Sequence, residues 1–146
     1  MSSCTFRVFM IIGSTDEFIE IEELQRSQSN SDIGVYVKLK LQDFCGSYSG
    51  VFIGEPEISL FCEQLKSLNL SRQGFAKINS LTPDEFKLEI RSVGSLGKME
   101  IEAQIHRHQY SGDKYWPIYL NGGFEVEPNA IEQLLFYFND FLGEHS

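Results

Sequence analysis

The chain has 146 residues, and twelve basic against twenty-one acidic residues give it a formal net charge of −9. This length is typical of one domain with a substantial core, so we expect residues 1–146 to form a single domain. The hydrophobic share of 42% and the twelve Phe residues argue against a disordered chain. The acidic charge argues against nucleic-acid binding, and it favours either a basic protein partner or simple solubility.

The N-terminal stretch MSSCTFRVFMIIG has no basic segment before its apolar run and no small-residue cleavage pattern after it. It therefore predicts a first strand rather than a secretory signal. In the stretch from Thr5 to Ile12, both odd-numbered and even-numbered positions near the centre are apolar. This pattern predicts a strand that is buried on both faces. Cys4, Cys45 and Cys62 are odd in number and lack CxxC spacing, which favours reduced thiols. These features predict a cytoplasmic protein. A membrane span needs about 20 consecutive apolar residues, and the sequence has no such run, so no span is predicted.

Three further strands are indicated before the first helix. The stretches EFIEIEEL and GVYVKLKLQDF alternate, and SYSGVFIG continues the meander. If the first two pair as a hairpin, their shared apolar face places Glu20 and Glu22 on the same side as Lys38 and Lys40. Such opposed charges are a structural use of charge, not a catalytic one.

A helix is predicted over about 56–68, with Pro56 at its first position. Its apolar stripe repeats at helical spacing and contains Cys62, which indicates a buried structural thiol rather than a nucleophile.

The second half repeats the pattern of strands followed by a helix. Strands are indicated in GFAKIN, FKLEIRS, KMEIEAQIHRHQY and PIYLNGGFEVE, and SGDKYW is the loop between the last two. In the last strand, alternation places Ile118, Leu120, Phe124 and Val126 inward, and Asn121-Gly122-Gly123 predicts a bulge. A final helix is predicted over about 128–142. The fold class is therefore α+β, with largely antiparallel sheet or sheets of about seven to eight strands and two amphipathic helices.

His106 and His108 are the candidate metal ligands. Residues two apart share one face of a strand, and the spacing resembles the HxH of cupin-type barrels. The cupin pattern continues with a Glu three or four residues after the second His, where this chain has Ser111 or Gly112. Alternation along the strand also places both histidines on its solvated face, beside Glu100 and Glu102. The pattern favours a solvated sheet face, with a metal site as the alternative.

No catalytic residue and no cofactor are predicted. The stretch GSYSG has Tyr48 at its centre, so the GxSxG nucleophile motif is not met, and neither GxGxxG nor a Walker A sequence occurs. We therefore expect a protein that is not an enzyme.

Aromatic residues provide the candidate interface. Phe136 and Tyr137 lie off the main apolar stripe of the last helix, and Tyr110, Tyr115 and Trp116 crowd the last hairpin loop. Aromatic side chains are favoured in interface cores, because each buries a large area at a small cost in entropy. The alternative is that they pack on neighbouring loops or widen the buried face of the helix.

The run from LFCEQLKSL through GFAKINSLTPDEFKLEI and GKMEIEAQI to GGFEVEPNAIEQLLFYFNDFL resembles a family of small uncharacterised bacterial proteins. Some members of that family are described as immunity partners of wall-associated polymorphic toxins. The similarity covers about the last ninety residues and rests on hydrophobic, glycine and proline positions. The resemblance implies an intracellular, non-enzymatic binding protein, and it carries no functional residue to this chain.

The sequence therefore predicts a small acidic interaction protein, and the resemblance implies an immunity-type inhibitor that binds a basic toxin domain. The alternative from another functional class is a metal-binding protein or metal-dependent enzyme that uses His106 and His108. A third interpretation is an oligomer that buries the aromatic flank of the last helix.

Overall fold

A computed structural model describes residues 9–26 and 32–143. The elements of the first half are β1 (Phe9–Gly13), β2 (Glu17–Arg26), β3 (Ile33–Leu41), β4 (Phe44–Ile53) and α1 (Glu55–Ser71). Those of the second half are β5 (Phe75–Asn79), β6 (Phe86–Val93), β7 (Lys98–Arg107), β8 (Tyr110–Ser111), β9 (Lys114–Tyr115), β10 (Ile118–Val126) and α2 (Asn129–Gly143). The predicted α+β class with antiparallel sheets is confirmed.

The strands form two four-stranded antiparallel sheets. The first sheet has the order β1-β2-β3-β4 and the second the order β10-β7-β6-β5. Short connections between alternating segments produce this arrangement, because hairpin loops join antiparallel neighbours. The pair β8–β9 is a two-residue ribbon at the end of the β7–β10 hairpin, and the sequence did not indicate it.

The β2–β3 hairpin has the predicted orientation. Ile21 lies opposite Val37 and both are buried, whereas Glu20 lies opposite Lys38 on the outer face. A cross-strand pair of this kind contributes roughly 0.2–1 kcal/mol.

One hydrophobic core joins both sheets and both helices. Helix α1 packs on β5 and on α2, and α2 also packs on β1. Phe61 of α1 and Phe138 of α2 meet edge to face, with ring centroids 5.2 Å apart. Cys62 lies in the buried face of α1, as predicted, and burial raises the pKa of its thiol to about 11. None of the described helices is long and apolar enough to cross a membrane.

The first strand is not buried on both faces, so that prediction is wrong for its described part. Met10 and Ile12 are buried, but Phe9 and Ile11 are exposed. The reason is that β1 is an edge strand in which ordinary alternation holds, and the outer positions happen to be apolar. The predicted segment from Thr5 to Val8 lies outside the described residues.

The first helix runs past its predicted end to Ser71. It stops where Arg72 adopts a left-handed conformation (φ 59°), and the Arg72 N–H donates to the Leu68 carbonyl oxygen at 2.8 Å. A left-handed residue commonly closes a helix in this way, and here an arginine takes the place of the usual glycine.

The predicted bulge at Asn121-Gly122-Gly123 is wrong. The register of β10 with β7 is continuous through these residues. The glycines instead permit close packing: a Cβ on Gly122 would lie 2.6 Å from Leu41 Cδ1, and a Cβ on Gly123 would lie 2.6 Å from the Ile101 carbonyl oxygen. The space that a side chain would need is occupied by the first sheet and by the neighbouring strand.

Candidate binding surface at the hairpin tip

The β7–β10 hairpin extends beyond the rest of its sheet. Strand β6 begins at Phe86, opposite Ile105, so the hairpin after that point is paired only within itself. One backbone bond supports it from outside, from the His106 N–H to the Glu85 carbonyl oxygen at 2.9 Å. The candidate histidines and loop aromatics all lie in this projecting part.

The structure brings His106 and His108 together, with ring centroids 4.3 Å apart. His108 is exposed, as predicted, but His106 is only 6% exposed, so its predicted solvated position is wrong. The cause is Tyr119, which lies opposite His106 in the register and stacks on its ring at 4.1 Å. Alternation assigned the correct face of the strand but could not show that this face is covered.

A tyrosine hydroxyl joins the two histidines. Tyr115 Oη lies 2.6 Å from His108 Nδ1 and 3.4 Å from His106 Nε2. Desolvation, followed by the neighbouring Tyr119 and Tyr110, raises the pKa of Tyr115. The phenol therefore keeps its proton, and the tautomer of His108 sets whether the hydroxyl donates to Nδ1 or accepts from it. The other ring nitrogen of His106, Nδ1, is buried and has no hydrogen-bond partner in the described part of the chain.

This geometry limits what a metal could use. Within residues 9–26 and 32–143, no group of three or more His, Cys, Asp or Glu side chains could hold a metal ion. The Tyr115 phenol oxygen contacts both imidazole rings, so a metal bound to His106 and His108 would meet it as a further donor. The metal site stays a prediction.

The interface candidates separate into exposed and buried residues. Tyr110, Tyr115 and Trp116 are exposed, and the Tyr110 and Tyr115 rings pack 5.1 Å apart. Phe136 is also exposed, whereas Tyr137 is only 3% exposed, which favours the alternative that its side chain widens the buried face of the helix.

Tyr137 is buried because α2 contacts both α1 and β1, which gives this helix a wide buried face. Its ring meets those of Phe138 and Phe141 edge to face, each at 5.2 Å. Phe136 and Tyr137 line one groove away from the hairpin, beside Phe9 and Ile11 of β1. The candidates therefore belong to two surfaces rather than one.

Three residues that the sequence did not indicate complete the surface at the hairpin. Phe44 is 71% exposed, and Ile118 and Tyr119 are more than half exposed. Ile118 was predicted to point inward; it does lie on the inner side, but at the mouth of a cleft beside Phe44 rather than in the core. The stretch YWPIY carried a usable signal, since its aromatic density is high, whereas nothing in the sequence singles out Phe44. The tip patch is the set Phe44, Tyr110, Tyr115, Trp116, Ile118 and Tyr119.

A second polar cluster lies further along the outer face of the same sheet. Arg91 contacts Glu102 at 3.0 Å, Glu100 at 3.4 Å and Glu89 at 3.5 Å. The hydrogen bond to Glu102 is the main cause of the raised pKa of Arg91. The cation and carboxylates neutralise one another across the two neighbouring strands β6 and β7, which indicates a structural role.

Comparison of the chain with protein-family models, with curated proteins and with solved structures finds no match. The resemblance to immunity proteins therefore stays a prediction, and function has to be argued from the surface itself.

Proposed function

We propose that the protein is a small acidic binding protein that recognises a protein partner through the tip patch. The observation that carries this proposal is the exposure of six large apolar or aromatic side chains around one hairpin end. Contiguous exposed apolar surface is uncommon on proteins that act alone, and it typically marks an interaction site.

Contacts link five of the six members of the patch, and Trp116 follows Tyr115 in the chain with Lys114 over its ring. Tyr110 packs on Tyr115, Tyr115 bonds His108, and His106 stacks on Tyr119. Tyr119 then shares a cleft with Ile118 and Phe44. A surface held in this way loses little conformational freedom on binding, so more of the contact energy appears as affinity.

The proposed partner is a basic protein, such as a toxin domain. The net charge of −9 would speed the approach of a positively charged molecule, and the aromatic side chains would then supply the buried contact. Inhibition would follow from steric occlusion of the partner. The family resemblance supports this immunity-type role, and no chemistry by the protein itself is required.

The experiment is to sequence the genes beside this one and to co-express any toxin-like domain they encode, scored by cell growth and by calorimetric titration of the purified pair. We expect protection, and we expect Trp116→Ala or Phe44→Ala to weaken binding about thirtyfold if each is a hot spot. Leu70→Ala is the matched control, since Leu70 is 88% exposed but lies on α1, outside the patch. Raising the salt concentration should slow association.

Two results would contradict the proposal. One is a neighbouring gene that encodes no toxin-like protein, together with no partner at low salt. The other is equal affinity for the Trp116→Ala, Phe44→Ala and Leu70→Ala variants. A stoichiometric metal in protein purified without a histidine tag, lost in His108→Gln, would instead favour the metal-binding alternative, which rests on the approach of His106 and His108 to one phenol oxygen.

A further inference from the structure

A cleft of about 330 Å³ opens where the end of the first sheet faces the projecting hairpin. Ile105, Ile118 and Leu120 line one side of it, and Phe44 and Tyr48 line the other. This volume lies at the lower end of the range of small-molecule sites, and the lining is mainly apolar, as in such sites.

Gly46 leaves the floor of this cleft open. A Cβ at this position would lie 3.3 Å from Leu120 Cδ2 and 3.4 Å from Ile105 Cδ1. A larger side chain would therefore press against both residues and fill space that is now free.

Arg107 provides the charge at this cleft. Its side chain is exposed, and its guanidinium carbon lies 6.0 Å from the centre of the Tyr48 ring. Over the described ranges no carboxylate pairs with it, although the chain carries twenty-one acidic residues in all. An arginine that stands over an apolar cleft without a carboxylate is available to an external anion.

Glu85 is an acidic group that contacts one of the residues lining the cleft. Tyr48 Oη donates to Glu85 Oε2 at 3.4 Å. Burial, followed by Glu85, raises the pKa of Tyr48, so the phenol keeps its proton for this bond. Glu85 would repel an anion at close range, so the ligand carboxylate has to approach Arg107 from the open side.

We propose that this cleft binds a small carboxylic acid with an apolar body, with the body between Ile105, Leu120 and Phe44 and the carboxylate on Arg107. This site goes beyond the proposed protein partner and does not depend on it, although Phe44, Ile118 and Tyr119 border both surfaces.

The experiment titrates decanoate, decanol and decylamine into the purified chain below their aggregation concentrations, followed by amide NMR shifts. We expect decanoate to shift signals of Gly46, Ile105 and Leu120 at one-to-one stoichiometry. Decanol should bind at least about tenfold more weakly than decanoate, because a hydrogen bond to a charged group changes the affinity by roughly a factor of ten or more. Decylamine should bind least.

Two variants separate charge from shape. Arg107→Gln should weaken decanoate about tenfold and leave decanol unchanged. Gly46→Val should weaken both, because it fills the floor. Lys114→Gln is the control for Arg107→Gln, since it removes a cation that lies over Trp116, outside the cleft. Thermal unfolding confirms that each variant is folded.

The proposal is overturned if decanol binds as tightly as decanoate, or if Arg107→Gln and Lys114→Gln change decanoate affinity equally. Binding that appears only when decanoate forms micelles would overturn it as well.

Discussion

The two ends of the β7–β10 strand pair follow the same alternation of inner and outer side chains, but the burial of those side chains is reversed between the two ends. At the end near α2, the inner residues Ile101 and Phe124 are buried and the outer Glu100 is partly exposed. At the tip, the inner Ile118 is exposed and the outer His106 is buried. The comparison shows that alternation decides which face a side chain takes, whereas burial depends on what lies above that face.

The sharpest way to test this contrast is the same substitution at both ends. Ile101→Ala should lower the free energy of unfolding by about 2–5 kcal/mol, because a buried isoleucine leaves a cavity. Ile118→Ala should lower it by less than about 1 kcal/mol, because water already reaches that side chain. Denaturant unfolding measures both, and equal losses would show that the tip is part of the core.

A buried and an exposed cysteine give a second comparison between the core and the surface. Cys62 is buried with a pKa of about 11, above the ordinary value of 9.0, and Cys45 is exposed at the cleft. Between about pH 9 and pH 11 the thiol of Cys62 ionises in the unfolded chain but stays neutral in the folded one. The free energy of unfolding should therefore fall across this window, by about 2–3 kcal/mol for this group.

Chemical denaturation at pH 8, 10 and 11 measures that fall, and Cys62→Ala is the control that should flatten the corresponding part of the curve. In a Cys4→Ser background, a thiol reagent should modify Cys45 well before Cys62. If the free energy of unfolding has the same pH dependence in the original chain and in the Cys62→Ala variant, the assignment of Cys62 to a water-free environment is contradicted.

The smallest expected effect concerns the order of the tip itself. Tyr115→Phe removes the hydroxyl that bonds His108, at a cost of about 1 kcal/mol in the local opening of β8 and β9. Amide hydrogen exchange at Ser111 and Lys114 should accelerate about fivefold. Tyr110→Phe is the matched control, since its exposed ring packs on Tyr115 through carbon atoms. Equal exchange rates in the two variants would show that the hydroxyl does not order the ribbon.

Elements that depend on local periodicity were predictable from the sequence. Alternation identified the β2–β3 hairpin and placed Glu20 and Lys38 on one face, and helical spacing placed Cys62 in the buried face of α1. In each case the buried face is set within one or two neighbouring elements, so the sequence contains the whole signal.

Several misassigned positions depend on residues that approach from elsewhere in the fold. His106 is buried by Tyr119 from the returning strand, and Gly122 is required by Leu41 from the other sheet. Tyr137 is buried because a second element packs on its helix. The cleft at Arg107 could not be predicted either, since its two walls come from different halves of the chain.

The order of the strands has a consequence for how the chain folds. Every strand of the first sheet comes from residues before α1, and every strand of the second comes from residues after it. Each strand pair therefore closes only a short loop, at a small entropic cost. We expect the two meanders to form as separate early units, so that the slow step is their docking across the shared core. The cleft at Arg107 would then exist only after that last step, as a product of docking rather than of either half.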